Sequence, residues 1–146
     1  MIPRFHAAFA LLGSAVTVLA IAWGFYLVGS PATRQAQRFD EQRLRDLKTI
    51  AREIQGMVID ADHKETLKEA LPKTLEEAAK RARENQLPLS DPETGEPYVY
   101  TLKSDSTYEL CATFSLPRAW DSSVFWNHPA GKHCFTINVL DPPPFY

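Results

Sequence analysis

The sequence of 146 residues lacks an excess of positive charge. Its 16 Lys and Arg residues are outnumbered by 18 Asp and Glu residues, which gives a net charge of −2 at pH 7. Proteins that bind nucleic acid through its phosphates carry a basic patch or stripe, because the phosphates are contacted largely by cations. We therefore predict no nucleic-acid partner.

The sequence also lacks the short motifs of common enzyme classes. No Gly-x-Ser-x-Gly, His-Glu-x-x-His or phosphate-binding Gly-x-x-x-x-Gly-Lys sequence occurs, and no paired-carboxylate motif is present. A serine nucleophile elbow, a zinc-protease helix and a nucleotide-binding loop are thereby excluded. We predict a protein that is not an enzyme and that needs no cofactor.

Charged residues are missing from residues 7–28, which read AAFALLGSAVTVLAIAWGFYLV. Roughly 22 apolar or small residues, at about 1.5 Å of rise each, are enough to span the ~30 Å hydrocarbon layer of a bilayer. A cleaved signal peptide is the alternative, but its apolar core is shorter, at about 7–15 residues. We predict an uncleaved transmembrane anchor over residues 1–30, in contact with membrane lipid through residues 7–28.

Beyond this run the pattern becomes amphipathic. Ser30 suits the N-cap of a helix and Pro31 its first position, and apolar residues then recur at steps of three and four. The recurring residues are Phe39, Leu44, Leu47, Ile50, Ala51, Ile54, Met57 and Val58. This predicts a long helix from Pro31 to about residue 61. A capping box of Thr74 with Glu77 predicts a shorter helix over about residues 75–84.

After Pro88 the period of the pattern changes to two, which is typical of strands. Residues 98–103 and 108–114, separated by a Ser-Asp-Ser turn, predict a hairpin, and residues 132–139 predict a third strand. The predicted fold class is α+β, with an N-terminal transmembrane helix, a long amphipathic helix, a short second helix and a three-stranded antiparallel sheet. The predicted divisions are an anchor at 1–30, an α+β domain at 31–140 and a proline-rich tail at 141–146.

The stretch DPETGEPYVY, residues 91–100, combines acids, a glycine and two prolines ahead of alternating aromatics. A calcium-binding loop of the EF-hand type needs oxygen ligands at alternating positions, but Gly95 stands where the third of these is required. Pro92 and Pro97 restrict the backbone on either side of Gly95, which tolerates a positive φ. We predict a turn that leads into the sheet.

The same stretch carries a family resemblance. An apolar helix that runs into an amphipathic one, followed by LPKTLEEA, DPETGEPYVY and a hairpin, resembles the pilin-like fold. The turn is similar to the Asp-Pro, Gly, Pro-Tyr-x-Tyr element of the major pseudopilins of type II secretion. The wider run, DPETGEPYVY…TYELCATF…HCF, resembles bacterial single-span membrane proteins with a pilin-like domain.

The resemblance implies one alternative role, that of a divergent minor pilin or pseudopilin in a filament or secretion machine. Prepilins carry a glutamate at the fifth mature position, and residues 7–28 contain no acid. We therefore favour a subunit that is bound to a partner over one that polymerises.

Only two cysteines occur, Cys111 and Cys134. Both fall on the more polar face of neighbouring predicted strands, where they can meet across the sheet. Two unpaired thiols are the alternative. A disulfide requires an oxidising compartment, and we weigh it above the cations that follow the apolar run, which favour the cytoplasm. We predict a single-pass protein of the inner membrane with its C-terminal domain outside the cytoplasm, in the periplasm.

The remaining candidate sites lie near the C-terminus. His128, His133 and Cys134 are possible zinc ligands, but no Cys-x-x-Cys pair accompanies them. Cys111, His133 and Cys134 define a second alternative, a redox or metal-handling module. Trp120 and Trp126 lie in the loop 115–131 and are candidates for a protein-partner surface, with packing on the sheet as the alternative. The function that we predict is that of a membrane-anchored, extracytoplasmic, non-catalytic binding or scaffolding domain.

Overall fold

A computed structural model describes residues 4–28, 30–59, 66–82, 87–118 and 124–144, with side chains described from residue 8 to residue 24 of the first helix. The order of elements is α1 (Arg4–Val28), α2 (Pro31–Val58), α3 (Leu75–Arg81), β1 (Val99–Leu102), β2 (Thr107–Phe114) and β3 (Gly131–Asn138). The chain divides into two compact units, Met1–Gln35 and Ala36–Tyr146. The described chain is α+β, with three helices and one three-stranded antiparallel sheet.

The transmembrane part of the predicted fold is wrong. Within the residues that the structure describes, no helix has both the length and the apolar character that a membrane crossing requires. Helix α1 itself spans Arg4–Val28, 25 residues.

The long amphipathic helix α2 begins as predicted. The Ser30 hydroxyl accepts a hydrogen bond of 3.1 Å from the backbone N–H of Thr33, so Ser30 caps the helix directly before Pro31. The predicted apolar stripe is largely buried, and its fully covered members are Leu44, Leu47, Ile50, Ala51, Ile54 and Val58. Helix α2 ends at Val58, earlier than predicted, and residues 60–65 lie outside the described part of the chain.

The short helix α3 is confirmed with its predicted cap. The Thr74 hydroxyl accepts a hydrogen bond of 3.2 Å from the N–H of Glu77. The Glu77 carboxylate reaches back to the N–H of Lys73, at 2.7 Å. The helix spans Leu75–Arg81 and buries Leu75 and Ala78.

The sheet has the order β1-β2-β3, and both pairs are antiparallel. One face joins the apolar stripe of α2 in a single core cluster; its buried residues are Tyr108, Leu110, Ala112, Phe114, Phe135 and Ile137. The opposite face carries Thr101, Glu109, Thr113 and Thr136 together with both cysteines, as the pairing register shows. The sheet therefore has one apolar side and one polar side.

Candidate functional site

The most concentrated charge in the fold is a cluster around Arg43, which is only 2% exposed. Its guanidinium holds Asp91 through two hydrogen bonds, from Nε at 2.5 Å and from Nη2 at 3.0 Å. It also donates to Asp40 at 2.8 Å and to Glu93 at 2.6 Å. The Ser115 hydroxyl accepts a further, longer bond of 3.3 Å. A buried guanidinium is tolerated only with such partners, because its desolvation is costly.

Asp40 connects α2 to the end of strand β2. Its carboxylate accepts hydrogen bonds from the backbone N–H groups of Ser115, at 2.9 Å, and Leu116, at 2.8 Å. These donors follow directly after β2, so the same side chain neutralises Arg43 and satisfies the backbone where the strand ends. The contact fixes the helix and the strand relative to each other.

Asp91 organises the turn that was predicted for residues 91–97. Its Oδ1 accepts from the N–H groups of Glu93, at 2.9 Å, and Thr94, at 3.0 Å. The N–H of Gly95 donates to the Asp91 carbonyl at 2.9 Å, and Gly95 has a φ of 74°, which confirms the expected positive φ. The turn presents the carboxylates of Asp91 and Glu93 to the Arg43 guanidinium.

The pKa values of the pair follow from these contacts. Burial by itself would raise the pKa of Asp91, but the hydrogen bonds from Arg43, Thr94 and Glu93 outweigh it and lower that pKa to about 2. The hydrogen bond to Asp91 raises the pKa of Arg43 above its usual value, against the opposing effect of burial. Both groups are therefore charged across the physiological range, which is expected of a structural ion pair and gives no proton donor for catalysis.

Two of three buried or half-buried tyrosines connect the sheet to the helical side of the domain. The Tyr98 hydroxyl donates to Asp46 on α2 at 2.8 Å, and the Tyr100 hydroxyl donates to the Pro72 carbonyl at 2.7 Å. Burial raises the pKa of Tyr100 to about 12. The Tyr108 hydroxyl is buried and has no hydrogen-bond partner among the described residues. The pKa of each hydroxyl is raised, so none titrates near neutral pH, and the hydrogen bonds of Tyr98 and Tyr100 have a structural role.

The predicted disulfide is confirmed. Cys111 and Cys134 are bonded to each other and are direct register partners on β2 and β3, with their Cα atoms 4.0 Å apart. Cys111 is 4% exposed, whereas Cys134 is exposed. The bond lies on the polar face of the sheet, where the sequence pattern had placed both residues.

The histidines of the redox and metal alternatives do not join the two bonded cysteines. His133 lies on the opposite face of β3 from Cys134, with its ring against Phe135 at a centroid distance of 4.8 Å. His128 is 5% exposed and stacks on Phe114 at 3.5 Å, and burial lowers its pKa. In the described chain, the ligand-bearing side chains that gather within 4.8 Å of one another are Glu109, Cys111 and Cys134. Both of these sulfurs are already bonded to each other.

Of the two candidate tryptophans, the structure describes Trp126. Trp126 is 2% exposed and contacts Phe135 at a centroid distance of 5.0 Å. Its indole N–H donates to the Pro144 carbonyl at 2.6 Å, and the Lys48 ammonium lies 5.6 Å from its ring centroid. The structure thus places Trp126 in the core, as the packing alternative expected, and not on a surface. Trp120 lies outside the described residues.

Sequence reasoning missed the Arg43 cluster. A signal was available, because Arg43 and Asp40 fall on the buried stripe of α2, at helical steps of four from Leu47 and Leu44. Charged residues on such a stripe are rarely left without partners. The partners themselves, in a turn 48 positions further along the chain, could not be read from that pattern.

A cavity of about 490 Å³ adjoins this cluster on the polar side of the sheet. It is lined by the turn, through Glu93 and Glu96, and by the strands, through Val99, Thr113 and Lys132. Both signs of charge therefore border the cavity, which suits a polar ligand or a protein surface better than an apolar molecule.

In comparisons with known proteins, no family model, no curated protein and no solved structure matches this chain. The resemblance to pilin-like proteins therefore stays a prediction from the sequence.

Proposed function

We propose that this chain is an extracytoplasmic, non-catalytic binding or scaffolding domain. The observation that carries the proposal is the disulfide between Cys111 and Cys134. Disulfides persist in oxidising compartments and are rare in the cytosol of mesophiles, where thiols are kept reduced. The location that follows is the periplasm or another compartment outside the cytoplasm.

The non-catalytic part of the proposal is supported by how the ionisable residues are used. Arg43, Asp40 and Asp91 are buried against one another and against backbone donors. Asp46 is bound by Tyr98, and His128 is stacked in the core. Groups held in this way stabilise the fold and are not free to exchange protons with a substrate.

The polar face of the sheet is the surface that we assign to a protein partner. It combines the cavity of about 490 Å³ with exposed side chains of both charges, among them Glu96 and Lys132. Mixed polar surfaces of this kind are typical of non-obligate interfaces.

The location is tested by trapping thiols in intact host cells. Cells are quenched in acid, and free thiols are alkylated with a reagent that adds a visible mass before any lysis. We expect no modification without prior reduction and two additions after it. Two additions without reduction would overturn the proposed compartment.

The partner surface is tested by photo-crosslinking in the same cells. A photoreactive residue at Thr113 should capture a defined protein, whereas the same residue at Lys80, exposed on α3, should not. Equal capture at both positions, or at neither, would contradict the assignment of the polar face.

A divergent minor pilin or pseudopilin is the second candidate. It is favoured by one observation, that the apolar stripe of a long helix packs in one core with an antiparallel sheet that follows the DPETGEP turn. Determining the N-terminal residue of the mature protein tests it, because processing between residues 14 and 25 would favour the filament subunit. An N-terminus at Met1 would favour the bound domain.

A further inference from the structure

Among the described strands, β3 forms a long edge of the sheet with no neighbour on its outer side. It spans Gly131–Asn138, lies last in the order β1-β2-β3 and pairs with β2 along its whole length. No other described strand pairs with its outer side. An unpaired edge of this length is a template for another strand, and proteins generally cover or shorten such edges.

The opposite edge of the sheet, formed by β1, is short and partly paired. Strand β1 covers only Val99–Leu102, and the residue before it, Tyr98, donates its N–H to the Leu89 carbonyl at 2.9 Å. The segment before the sheet therefore occupies part of that edge. The asymmetry leaves β3 as the edge that is open to a further strand.

The register shows which backbone groups of β3 point outward. The N–H groups of Lys103 and Ser104 donate to the Thr107 carbonyl, so Thr107 faces β1. Backbone direction alternates along a strand, so Tyr108, Leu110 and Ala112 face β3 and bond to their partners Ile137, Phe135 and His133. The alternate residues of β3, which are Lys132, Cys134 and Thr136, then direct their N–H and C=O groups away from the sheet.

The disulfide gives an independent check of this register. Opposed residues that do not bond to each other have the closer Cα atoms, about 4.5 Å apart, and Cys111 and Cys134 are 4.0 Å apart. Cys134 is thus one of the outward-directed residues. All three of these residues are exposed.

We propose that two copies of this chain join edge to edge through β3, antiparallel, with the two-fold axis beside Cys134. Cys134 then faces the partner's Cys134, and Lys132 faces the partner's Thr136. Each outward-directed residue exchanges N–H···O=C bonds with the residue opposite, and the two sheets become one of six strands. The contact is isologous, so it closes at two copies.

Two of the alternative registers, with the axis beside another outward-directed residue, are disfavoured by charge and by an existing hydrogen bond. Centring the axis on Lys132 would place two lysines directly opposite each other, which is destabilising. Centring it on Thr136 would bring Asn138 into the contact, although its carbonyl already accepts from Asp141 at 3.2 Å.

With the axis beside Cys134, Lys132 extends over the partner's Thr136 toward the partner's Glu109. Within each copy, the Thr136 hydroxyl donates to one Glu109 oxygen at 3.4 Å, which marks how close the carboxylate lies to the edge strand, and Lys103 pairs with the other oxygen at 2.9 Å. Adjacent strands are about 4.8 Å apart, a separation that a lysine and a glutamate can bridge across one intervening strand. Two such contacts of opposite charge form in each pair.

The inference rests on the sheet geometry and not on the proposed function. It is tested by sedimentation velocity of the full chain, with the disulfide intact, over a range of concentrations in one mild detergent. We expect a monomer–dimer equilibrium. Exclusively monomeric protein at every concentration would overturn the inference.

Thr136→Pro is the decisive variant. The N–H that it removes points away from β2, so the sheet loses no backbone hydrogen bond and only the 3.4 Å side-chain bond to Glu109, and proline is tolerated on edges in this orientation. We expect the dissociation constant to rise about tenfold or more, while the disulfide and the unfolding midpoint are retained. A dimer that survives unchanged, for instance one held through the exposed apolar residues of α1, would refute the β3 contact.

The charge contact has a matched control. Lys132→Glu places a carboxylate near the partner's Glu109 and should weaken the dimer. Lys80→Glu makes the same change of charge at an exposed position of α3 and should leave it unaltered. Equal effects of the two variants would show a response to net charge alone and would overturn the proposed register.

Discussion

Arg43 on α2 holds the carboxylate of Asp91, 48 positions further along the chain, through hydrogen bonds of 2.5 and 3.0 Å. Both residues are buried, at 2% and 8% exposure. The pair fastens the turn that leads into the sheet onto the helix that covers the sheet. Because both residues are buried, the loss of either one would leave the other charge with neither a counter-charge nor solvent around it.

The first prediction concerns the loss of Arg43. Arg43→Met should lower the free energy of unfolding by about 3–5 kcal/mol, because it leaves buried carboxylates without their counter-charge. Arg45→Met, two residues away, is the matched control: the Arg45 side chain is 64% exposed and lies 3.9 Å from Glu41. That variant should change stability by less than about 0.5 kcal/mol. Urea denaturation of both variants checks the difference, and similar small losses would contradict a structural role for the cluster.

The second prediction concerns acid. The pKa of Asp91 is lowered to about 2, below its ordinary value of 3.8, so its charged form stabilises the folded state. That stabilisation is complete above about pH 4 and is lost as the pH falls toward about 2. We expect about 2 kcal/mol of stability to disappear over this interval. Denaturation curves at several pH values measure it, and Asp91→Asn should remove most of this dependence. An unchanged slope in that variant would assign the acid sensitivity to other groups.

The elements that the sequence predicted are those with local causes. The stripe of α2 and the cap at Thr74 depend on neighbours three or four residues away, and the alternation of β2 and β3 placed Cys111 and Cys134 on one face. The Arg43 contacts depend on how distant segments dock. No local pattern specifies such docking, which explains why they were missed.

Two further expectations concern residues 7–28 and Trp126. The transmembrane helix was inferred from the absence of charge in residues 7–28, but no helix among the described residues has both the length and the apolar character of a membrane span. Trp126 was a candidate for a partner surface, with packing on the sheet as the alternative, because its segment reads as a loop. In the structure this loop folds back onto Phe135 and buries the indole.

The third prediction concerns the disulfide. Replacing Cys111 and Cys134 together by serine should destabilise the domain by about 2–4 kcal/mol, because the bond closes a loop with a sequence separation of 23 residues. Reductant should lower the unfolding midpoint of the wild-type protein and leave that of the double variant unchanged. Equal responses of the two proteins to reductant would contradict this account.

The fourth prediction compares two glycines. Gly95→Ala should destabilise the protein by about 1 kcal/mol, because alanine is disfavoured at a φ of 74° even though the space around the added methyl group is open. Gly56→Ala, in α2 and likewise in open space, should stabilise it by about 0.5–1 kcal/mol through helix propensity. In thermal unfolding, we expect the midpoint to fall in Gly95→Ala and to rise in Gly56→Ala. Midpoint changes of the same sign would contradict the turn conformation.

The last prediction distinguishes a core role from a surface role for Trp126. Trp126→Ala should lower the free energy of unfolding by about 3–5 kcal/mol, because the ring is 2% exposed and packs on Phe135. Trp126→Phe keeps much of the ring volume and loses the 2.6 Å hydrogen bond to the Pro144 carbonyl. That change should cost about 1–2 kcal/mol.

Denaturant unfolding of both variants, followed by circular dichroism, gives the two values. The graded loss identifies packing as the main contribution and the indole N–H as a smaller one, which also fastens the C-terminal segment at Pro144 to the domain. If Trp126→Ala instead unfolded at the wild-type midpoint while binding to a captured partner was lost, the indole would act at a surface. Capture must therefore be compared with Trp126→Phe, in which the fold is retained, because loss of binding in Trp126→Ala alone would follow from unfolding.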